Sequence, residues 1–284
     1  MSTTLTAIAI LSGLGAFFGV GLAIAHRFLR VDEDPRIEVL EEKLPGSNCG
    51  ACGEAGCRAF AESLIAGINA PSGCTVASPG DIDDIAAFLG VDAGAQDKRV
   101  ARLHCAGGLG PARQIAEYEG FESCAAADLV GGGGKSCGWG CLGLEDCLVA
   151  CDFDAIRMND ERLPVVDVDR CTACGDCVVA CPRNLFEILP LAHHLIVQCA
   201  APLAGDRARE MCRVACDACE RCVQDAPGGL LRMENQLPIV DYSAGGPATS
   251  VVTQRCPTGA IQWVEGEQFV PLTASSLITS DVRT

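Results

Sequence analysis

Basic residues are scarce in this sequence: 21 Lys and Arg stand against 37 Asp and Glu in 284 residues, a formal net charge of −16. Nucleic acid is bound largely through Lys and Arg, so this balance argues against that class of partner. Aromatic residues are also few, at 5% of the chain, which leaves little large apolar surface for a core. No grouping of residues resembles an acid–base or nucleophilic catalyst, so the sequence shows no stand-alone active site.

Charge is missing altogether from the first 25 residues, and the run from Thr6 to Ala25 is almost entirely apolar. About 20 helical residues span the roughly 30 Å hydrocarbon core of a bilayer, so we expect residues 1–26 to form a transmembrane anchor. A cleaved signal peptide would carry positive charge before its apolar run. Here Arg27 and Arg30 follow the run. By the positive-inside rule this predicts a single-pass protein of the cytoplasmic membrane, with the bulk of the chain on the cytoplasmic side.

Cysteine is the residue that the chain has in excess, with 20 copies. Such a density is typical of a disulfide scaffold or of a metal-rich protein. Disulfide scaffolds are usually short and secreted, whereas this chain is long and its cysteines fall in dense C-x2-C runs. We therefore expect the thiols to be metal ligands in a reducing compartment, and we expect metal binding to contribute to folding.

The clearest of these runs extends from Cys171 to Pro182 and reads C-T-A-C-G-D-C-V-V-A-C-P. Its spacing, C-x2-C-x2-C-x3-C followed by proline, is that of bacterial ferredoxins. There, three cysteines wrap one [4Fe–4S] cluster and the fourth binds the neighbouring cluster. Zinc sites usually show two separated C-x2-C pairs instead. The run therefore predicts one iron–sulfur cluster and, through Cys181, a second one.

A different cysteine pattern comes earlier, within a predicted domain of residues 32–91. Its members, spaced C-x2-C-x4-C-x16-C, are Cys49, Cys52, Cys57 and Cys74. Glycines beside them allow a bulky cofactor to approach the backbone closely. We predict a further [4Fe–4S] cluster there, with a four-cysteine zinc site as the alternative.

Two helices are predicted around this pattern. One follows Cys57 and places Phe60, Leu64 and Ile68 on a single face, because these residues are spaced four apart. A short closing helix is predicted over residues 81–89. Both helices would pack against the loop that carries the cysteines, which predicts a small α-rich domain.

Residues 92–135 are predicted to be a connector. They end near the stretch G-G-G-G-K-S, which resembles a phosphate-binding loop but lacks its first glycine, because position 129 is leucine. The stretch also leads directly into Cys137 rather than into a helix. We therefore predict a flexible lead-in to a cluster and not a nucleotide site.

The remainder of the chain contains an internal repeat. Cysteines with the spacing C-x12-C-x3-C-x5-C occur twice, 75 residues apart: Cys124, Cys137, Cys141 and Cys147, then Cys199, Cys212, Cys216 and Cys222. Each copy continues with a hairpin-like stretch, a Cys-Pro turn and an apolar strand-like run, residues 185–189 and 260–264. We therefore predict two α+β ferredoxin-like units, residues 136–190 and 191–265, followed by a tail of residues 266–284.

The first unit has two cysteine motifs, the first at residues 141–151 and the second at residues 171–182. Their ligands are predicted to interlace, as in two-cluster ferredoxins. One cluster takes a thiol of the first motif and three of the second: Cys151, Cys171, Cys174 and Cys177. The other takes Cys181 from the second motif and the rest from the first, where the middle ligand position is Leu144. We expect Cys137, one turn upstream, to substitute. The second set is then Cys137, Cys141, Cys147 and Cys181.

The second unit has lost one ligand set and kept the other. The lost positions carry Ala226, Gly246, Thr249 and Val252. The retained thiols are Cys216, Cys219, Cys222 and Cys256, with Cys212 as an alternative to Cys219. Random loss would rarely remove one whole set, so we predict one cluster here and four [4Fe–4S] clusters in the chain. Outside the four sets, Cys105, Cys124 and Cys199 are then buried apolar cysteines. A fifth cluster built from them has no motif behind it.

The order of these parts resembles the B subunit of the Rnf complex, the ion-translocating ferredoxin:NAD+ oxidoreductase. The resemblance is carried by the uncharged N-terminal helix, the C-G-A-C-G-x3-C run with its distant Cys74, and the cysteine runs of residues 135–151 and 171–182. It covers the chain to about residue 190, and the second unit resembles the longer members. The sequence departs from the family pattern at Asp152, where a proline usually follows the cysteine, and at the lost ligand set.

The resemblance implies an electron-carrying subunit that accepts electrons from reduced ferredoxin or a similar low-potential donor. It passes them from cluster to cluster toward other membrane and peripheral subunits, and the complex couples this transfer to movement of Na+ or H+. The predicted fold is a single transmembrane helix, a small α-rich Fe–S domain and α+β ferredoxin-like repeats. Two alternatives stay open: the electron-input subunit of another membrane oxidoreductase, such as a hydrogenase-type complex, and a zinc-stabilised interaction protein without redox function.

Overall fold

The computed structural model describes residues 2–29, 34–95, 97–243 and 247–269 of the chain. Its helices, in chain order, are α1 (Ser2–Leu29), α2 (Pro35–Lys43), α3 (Cys57–Ile65), α4 (Pro79–Leu89), α5 (Cys124–Leu129), α6 (Asp146–Val149), α7 (Asp176–Ala180), α8 (Gly205–Met211) and α9 (Arg221–Asp225). Its strands are β1 (Arg99–Leu103), β2 (Ile156–Met158), β3 (Pro164–Val166), β4 (Phe186–Pro190), β5 (Leu195–Val197), β6 (Leu231–Glu234), β7 (Leu237–Val240) and β8 (Ile261–Trp263). Short turns of 3-10 helix occupy Pro71–Gly73, Gly132–Gly134 and Ser250–Thr253.

Helix α1 is the predicted membrane anchor. Its residues Leu5–Phe28 form a 24-residue apolar run with a mean hydropathy of 2.2, and none of its most apolar window is buried against the rest of the described chain. Large apolar side chains such as Leu11 and Phe17 are 70% and 73% exposed. A helix of this length, apolar on all faces, suits a lipid environment, so the prediction of a candidate transmembrane helix is confirmed. Arg27 lies in its last turn, and Arg30 lies outside the described residues.

Helices α2, α3 and α4 pack into a small α-helical domain around the first cysteine pattern. Leu40, Phe60 and Ile85, one from each helix, are at most 1% exposed and form the centre of its core. Helix α4 begins with a capping box, in which Ser78 and Asp81 each accept a hydrogen bond from the other's backbone N–H. This reciprocal pair is a common helix start. The closing helix predicted from residue 81 is present and begins two residues earlier, at Pro79.

Helix α3 is shorter than the spacing of its apolar residues predicts. Phe60 faces the core, but Ile68 is 75% exposed because the helix ends at Ile65. Gly67 adopts a left-handed φ of 69°, and the N–H of Ile68 donates to the carbonyl of Ser63 at 2.9 Å. This is a Schellman-type turn, which stops a helix at a glycine. The prediction that Ile68 shares the buried face is therefore wrong.

Two units with the same strand arrangement follow in the chain. In each unit the first strand pairs antiparallel with the last, β1 with β4 and β5 with β8. A hairpin, β2–β3 or β6–β7, lies between them in sequence. Short cysteine-bearing helices, α6 and α7 in the first unit and α9 in the second, connect the strands. The prediction of α+β ferredoxin-like repeats is confirmed.

The segment of residues 92–135, predicted as a connector, is part of the first unit in the structure. It supplies β1, whose last four residues are buried. Further along, the N–H of Arg113 donates to the carbonyl of Met211, and the N–H of Arg213 donates to the carbonyl of Pro111. The segment therefore pairs with the first unit through β1 and with the second through these backbone bonds.

Residues 265–269 fold back onto the first unit. The side-chain amide of Gln268 accepts from the N–H of Leu103 at 2.9 Å and donates to its carbonyl at 3.1 Å. The guanidinium of Arg102 donates to the carbonyl of Gly266 at 2.7 Å. The beginning of the segment predicted as a tail thus packs on β1, and residues 270–284 lie outside the described part of the chain.

Candidate metal centres

Site A comprises the four cysteines of the N-terminal domain: Cys49, Cys52, Cys57 and Cys74. The loop before α3 is ordered by the side chain of Asn48, which accepts from the N–H of Cys57 at 2.8 Å. A 3-10 turn then returns Cys74 to this loop, where it is buried. Burial raises the pKa of Cys74, and the thiols of Cys52 and Cys57 contribute to the rise. Cys49 is partly buried in the same loop, three residues before Cys52.

Site B comprises four cysteines that line one cavity: Cys151, Cys171, Cys174 and Cys177. The cavity encloses about 330 Å³, part of it open to solvent. Burial raises the pKa of Cys177 to about 12, and the thiols of Cys171, Cys174 and Cys151 contribute to the rise. Three of these thiols come from the second motif, and Cys151 comes from the end of the first.

Site C differs from the grouping that the sequence suggests. Burial raises the pKa of Cys147, and the thiols of Cys141, Cys124, Cys177 and Cys181 raise it further. Cys137 lies elsewhere, at a separate cavity between the two units. The set that the structure brings together is therefore Cys124, Cys141, Cys147 and Cys181, with Cys124 where sequence reasoning expects Cys137.

Cys124 reaches site C because helix α5 docks on the first motif. Its thiol lies close enough to the backbone N–H of Leu144, the residue at which this motif lacks a cysteine, for that N–H to lower the pKa of the thiol against the rise caused by burial. The carboxylate of Asp146 accepts from the N–H groups of Cys124 and Ala125, both at 2.9 Å, and from the hydroxyl of Ser123 at 3.1 Å. A carboxylate at a helix N-terminus satisfies N–H groups that have no partner within the helix. A distant cysteine thus occupies the place of the missing one.

We expect Asp146→Ala to loosen site C. The substitution removes three hydrogen bonds to a carboxylate, and bonds to charged groups contribute about 1.5–3 kcal/mol each. If the free energy that docks α5 on the first motif falls by a net amount of about 2 kcal/mol, the undocked population of α5 rises roughly 30-fold. The measurement is anaerobic removal of iron by a chelator, in which one cluster should be lost at least about tenfold faster. Asp84→Ala, at an exposed position of α4, is the matched control. Equal rates in all three proteins would contradict the role of Asp146.

Site D comprises four cysteines of the second unit that line one cavity: Cys216, Cys219, Cys222 and Cys256. This cavity encloses about 340 Å³. Burial raises the pKa of Cys222 to about 11, and the thiols of Cys256 and Cys219 contribute to the rise. Cys219 thus stands at this site, whereas its sequence-based alternative, Cys212, lines the separate cavity between the units.

Two positions of the lost ligand set, Ala226 and Val252, carry apolar side chains that pack in the core of the second unit. Val252 is 0% exposed, and Ala226 packs against the same cluster, together with Leu230. Thr249 is the residue before a 3-10 turn, and Gly246 lies outside the described residues. At these two positions, apolar packing takes the place of thiol ligands.

Four further cysteines meet at the junction of the two units: Cys105, Cys137, Cys199 and Cys212. Three of them are at most 7% exposed, and Cys199 is partly buried. The sequence predicts Cys137 as a site C ligand, Cys212 as an alternative to Cys219, and Cys105 and Cys199 as isolated residues, because no short spacing connects the four. The signal that could have found them is their position relative to strands: Cys105 follows β1 by two residues, and Cys199 follows β5 by two residues.

Two buried cations lie near the cysteine sites. Lys135 is 9% exposed, and its ammonium donates to the carbonyl of Gly107 at 2.6 Å and to that of Cys141. Arg102 is fully buried, and its Nε and Nη2 atoms have no hydrogen-bond partner within the described residues. Burial lowers the pKa of Arg102, and the Cys171 thiol opposes this shift. Buried donors without partners are rare and unfavourable, so Arg102 suits a site B that holds an anionic cluster with acceptor sulfurs.

At sites B and D the four thiols line a cavity. Within the described parts of the chain, no three His, Cys, Asp or Glu side chains are arranged to hold a single metal ion. A zinc ion draws its sulfur ligands to about 2.3 Å from one centre, whereas a four-iron cluster is larger and keeps its ligand sulfurs further apart. The cavities at sites B and D, each lined by four thiols, suit the larger group.

Two family models match the chain. A model described as an Fe-S cluster domain matches residues 44–76, which include all of site A. A model described as a 4Fe-4S binding domain matches residues 163–186, which include the second motif of the first unit. The prediction that the chain holds iron–sulfur clusters is confirmed.

Curated relatives extend the likeness to nearly the whole chain. The B subunit of the Na(+)-translocating ferredoxin:NAD(+) oxidoreductase complex of Acetobacterium woodii is 38% identical over 261 residues, which cover 92% of this chain and 78% of the relative. The chain belongs to the family of Rnf B subunits. Two other members match over 92% of this chain: the one from the proton-translocating complex of Clostridium ljungdahlii at 34% identity, over 93% of its length, and the one from the ion-translocating complex of Methanosarcina acetivorans at 33%, over 98%. As its sequence predicts, the chain is an iron–sulfur subunit of an Rnf-type oxidoreductase complex.

Proposed function

We propose that the chain carries electrons within a complex that couples transfer between ferredoxin and NAD+ to ion translocation. Each of sites A to D holds one [4Fe–4S] cluster, and the cluster supplies one-electron transfer when bound. The polypeptide positions the clusters and adjusts their potentials through burial, nearby charge and N–H···S hydrogen bonds. Its partners are a ferredoxin or similar low-potential donor and the other membrane and peripheral subunits of the complex.

The observation that carries this proposal is the exchange of thiols between neighbouring motifs. Cys151, from the first motif, lies with the thiols of the second, and Cys181, from the second motif, lies with those of the first. The two centres are also adjacent, because Cys177 of site B contributes to the raised pKa of Cys147 at site C. Adjacent clusters with exchanged ligands are the arrangement of two-cluster ferredoxins, whose function is electron transfer.

In the same proposal, α1 crosses the membrane once and leaves sites A to D in the cytoplasm. The support is the distribution of charge: no charged side chain precedes the apolar run, and Arg27 follows it. Positive residues beside a membrane span favour the cytoplasmic side. One helix alone offers no path for an ion, so ion movement belongs to other subunits of the complex.

Membrane vesicles that contain the full complex test both the function and the orientation. We expect reduced ferredoxin, added outside under anaerobic conditions, to drive NAD+ reduction with inverted vesicles only, because ferredoxin cannot cross the bilayer. Cys177→Ser removes a site B ligand and should abolish this activity. Val179→Ser, at an 88% exposed position on the same helix, should retain it.

Three outcomes contradict different parts of the proposal. Activity with right-side-out vesicles would contradict the orientation. Full activity of the Cys177→Ser complex would show that electrons do not run through site B. A colourless, zinc-containing chain from an anaerobic preparation would favour the interaction-protein alternative over an electron carrier.

A further inference from the structure

The thiols at the junction of the two units form a set that lies outside the residues matched by the two family models. We propose that Cys105, Cys137, Cys199 and Cys212 hold a fifth [4Fe–4S] cluster, the bridge site, through which electrons pass between the two ferredoxin-like units. This inference rests on the proposed function of sites A to D. It changes the assignment of Cys137 and gives a role to cysteines that the repeat pattern leaves over.

The four thiols are two matched pairs, one from each unit. Cys105 stands two residues after β1 and Cys199 two residues after β5, and these are the equivalent first strands. Cys137 and Cys212 each stand four residues ahead of the first motif of their unit. The bridge site is therefore built from equivalent positions that face each other. Cysteines left over at random would have no reason to meet in this way.

The walls of the cavity are closed by the backbone and by small residues. The N–H of Ala106 donates to the carbonyl of Gln198 at 3.0 Å, which joins the segments that follow β1 and β5. Ala208 and Ala215 are 1% and 4% exposed and pack beside Cys212. The cavity encloses about 400 Å³, similar to the 340 and 330 Å³ at sites D and B. A cluster that fits those two sites thus has comparable room here.

Gly107 and Lys135 adapt this cavity to a bulky, negatively charged group. A Cβ placed on Gly107 would lie 3.1 Å from the Cys212 sulfur and 3.6 Å from the Cys105 sulfur, so the glycine leaves space beside two of the four thiols. The carbonyl of Gly107 accepts from the buried ammonium of Lys135 at 2.6 Å. A buried cation offsets the negative charge of thiolate ligands, which must be deprotonated to bind metal.

Hydrogen bonds join the bridge thiols to the centres on both sides. The N–H of Cys141, a site C residue, donates to the Cys105 sulfur at 3.3 Å. The backbone N–H of Cys216, a site D residue, lies close enough to the Cys199 thiol to lower its pKa, against the rise caused by burial. A cluster held by the four thiols would accept one electron from a reduced cluster at site C, which would be oxidised, and would pass that electron to a cluster at site D. The reverse order is equivalent, and no proton moves and no covalent bond changes.

Iron and acid-labile sulfide, counted on the anaerobically purified full chain, test the bridge site. Clusters at sites A to D and at the bridge site predict about 20 irons per chain, and Cys199→Ser should hold about 16, at four per cluster. Gly107→Ala keeps every thiol but places a methyl group 3.1 Å from the Cys212 sulfur. A sulfur bonded to iron has less freedom to move aside than a free thiol, so this variant should also hold about 16. Gly138→Ala is the matched control, because its new Cβ meets no atom within 4 Å.

The outcomes separate this inference from the proposed function. About 16 irons in the parent and in every variant would overturn the bridge site and leave sites A to D intact. Few or no irons in the parent would overturn the proposed function itself. EPR of the reduced chain adds a second readout: spin–spin interaction that links the two units is expected in the parent and in Gly138→Ala, and is lost in Cys199→Ser. If Cys199→Ser fails to fold, the iron counts of the parent and of Gly107→Ala still show whether the bridge site holds a cluster.

Discussion

Cys124→Ser is expected to lose one whole cluster, about four irons per chain, and with it ferredoxin-dependent NAD+ reduction by the complex. The reason is the position of the thiol: it lies at the N–H of Leu144 and contributes to the raised pKa of Cys147, among the thiols of site C. Site C stands between site B and the bridge site, so its loss interrupts the path at its middle. The measurements are the iron count of the anaerobic chain and the vesicle assay.

The same experiment distinguishes the two groupings of site C. If Cys137 were the ligand, as the repeat pattern suggests, Cys124→Ser would keep all its iron and all its activity. Ala125→Ser, an exposed neighbour on α5, controls for the effect of a serine on the helix and should match the parent. A Cys124→Ser chain with a full iron count would therefore contradict the grouping seen in the structure.

Arg102→Met is expected to make the reduction potential of the site B cluster more negative by tens of millivolts. The guanidinium is fully buried and lies close enough to Cys171 for that thiol to influence its pKa. A unit charge about 10 Å away contributes about 1.7 kcal/mol at an effective dielectric constant of about 20. For a one-electron couple this corresponds to about 70 mV. Because the charge is positive and favours the reduced, more negative cluster, its removal lowers the potential.

Potentiometric titration followed by EPR measures this shift. Arg102→Lys keeps the charge and should recover most of the parent potential. Arg99→Met removes an exposed cation from the same strand, where water and salt screen its charge, and should leave the potential nearly unchanged. The interpretation fails if Arg102→Met and the parent have equal potentials, or if Arg99→Met shifts the potential as far as Arg102→Met does.

Sites B and D follow closely from local spacing, and site C does not. Three thiols of site B come from one short turn, so the interval between Cys171 and Cys177 already limits where they can lie. The same holds for Cys216 to Cys222 at site D. Cys124 instead reaches site C through the contacts of α5 with Asp146. Such a tertiary contact leaves no periodic signal in the sequence.

The misassignment of Cys137 has a specific physical origin. The spacing C-x12-C occurs before the first motif of both units and pairs Cys124 with Cys199. The strands give a different equivalence, in which Cys105 corresponds to Cys199 because each follows the first strand of its unit. The first unit has a longer segment between that strand and its first motif, and this segment contains α5. The matching interval is therefore a coincidence that only the strand positions reveal.

The contact between Gln268 and Leu103 bears on how the chain meets its neighbours. An unpaired strand edge is a ready template on which another chain can add a strand. At Leu103 the backbone N–H and carbonyl are already hydrogen-bonded to the side-chain amide of Gln268 in the same chain. Strand addition at this point is blocked for other subunits and for further copies of this one. Recognition at this face must therefore depend on side chains.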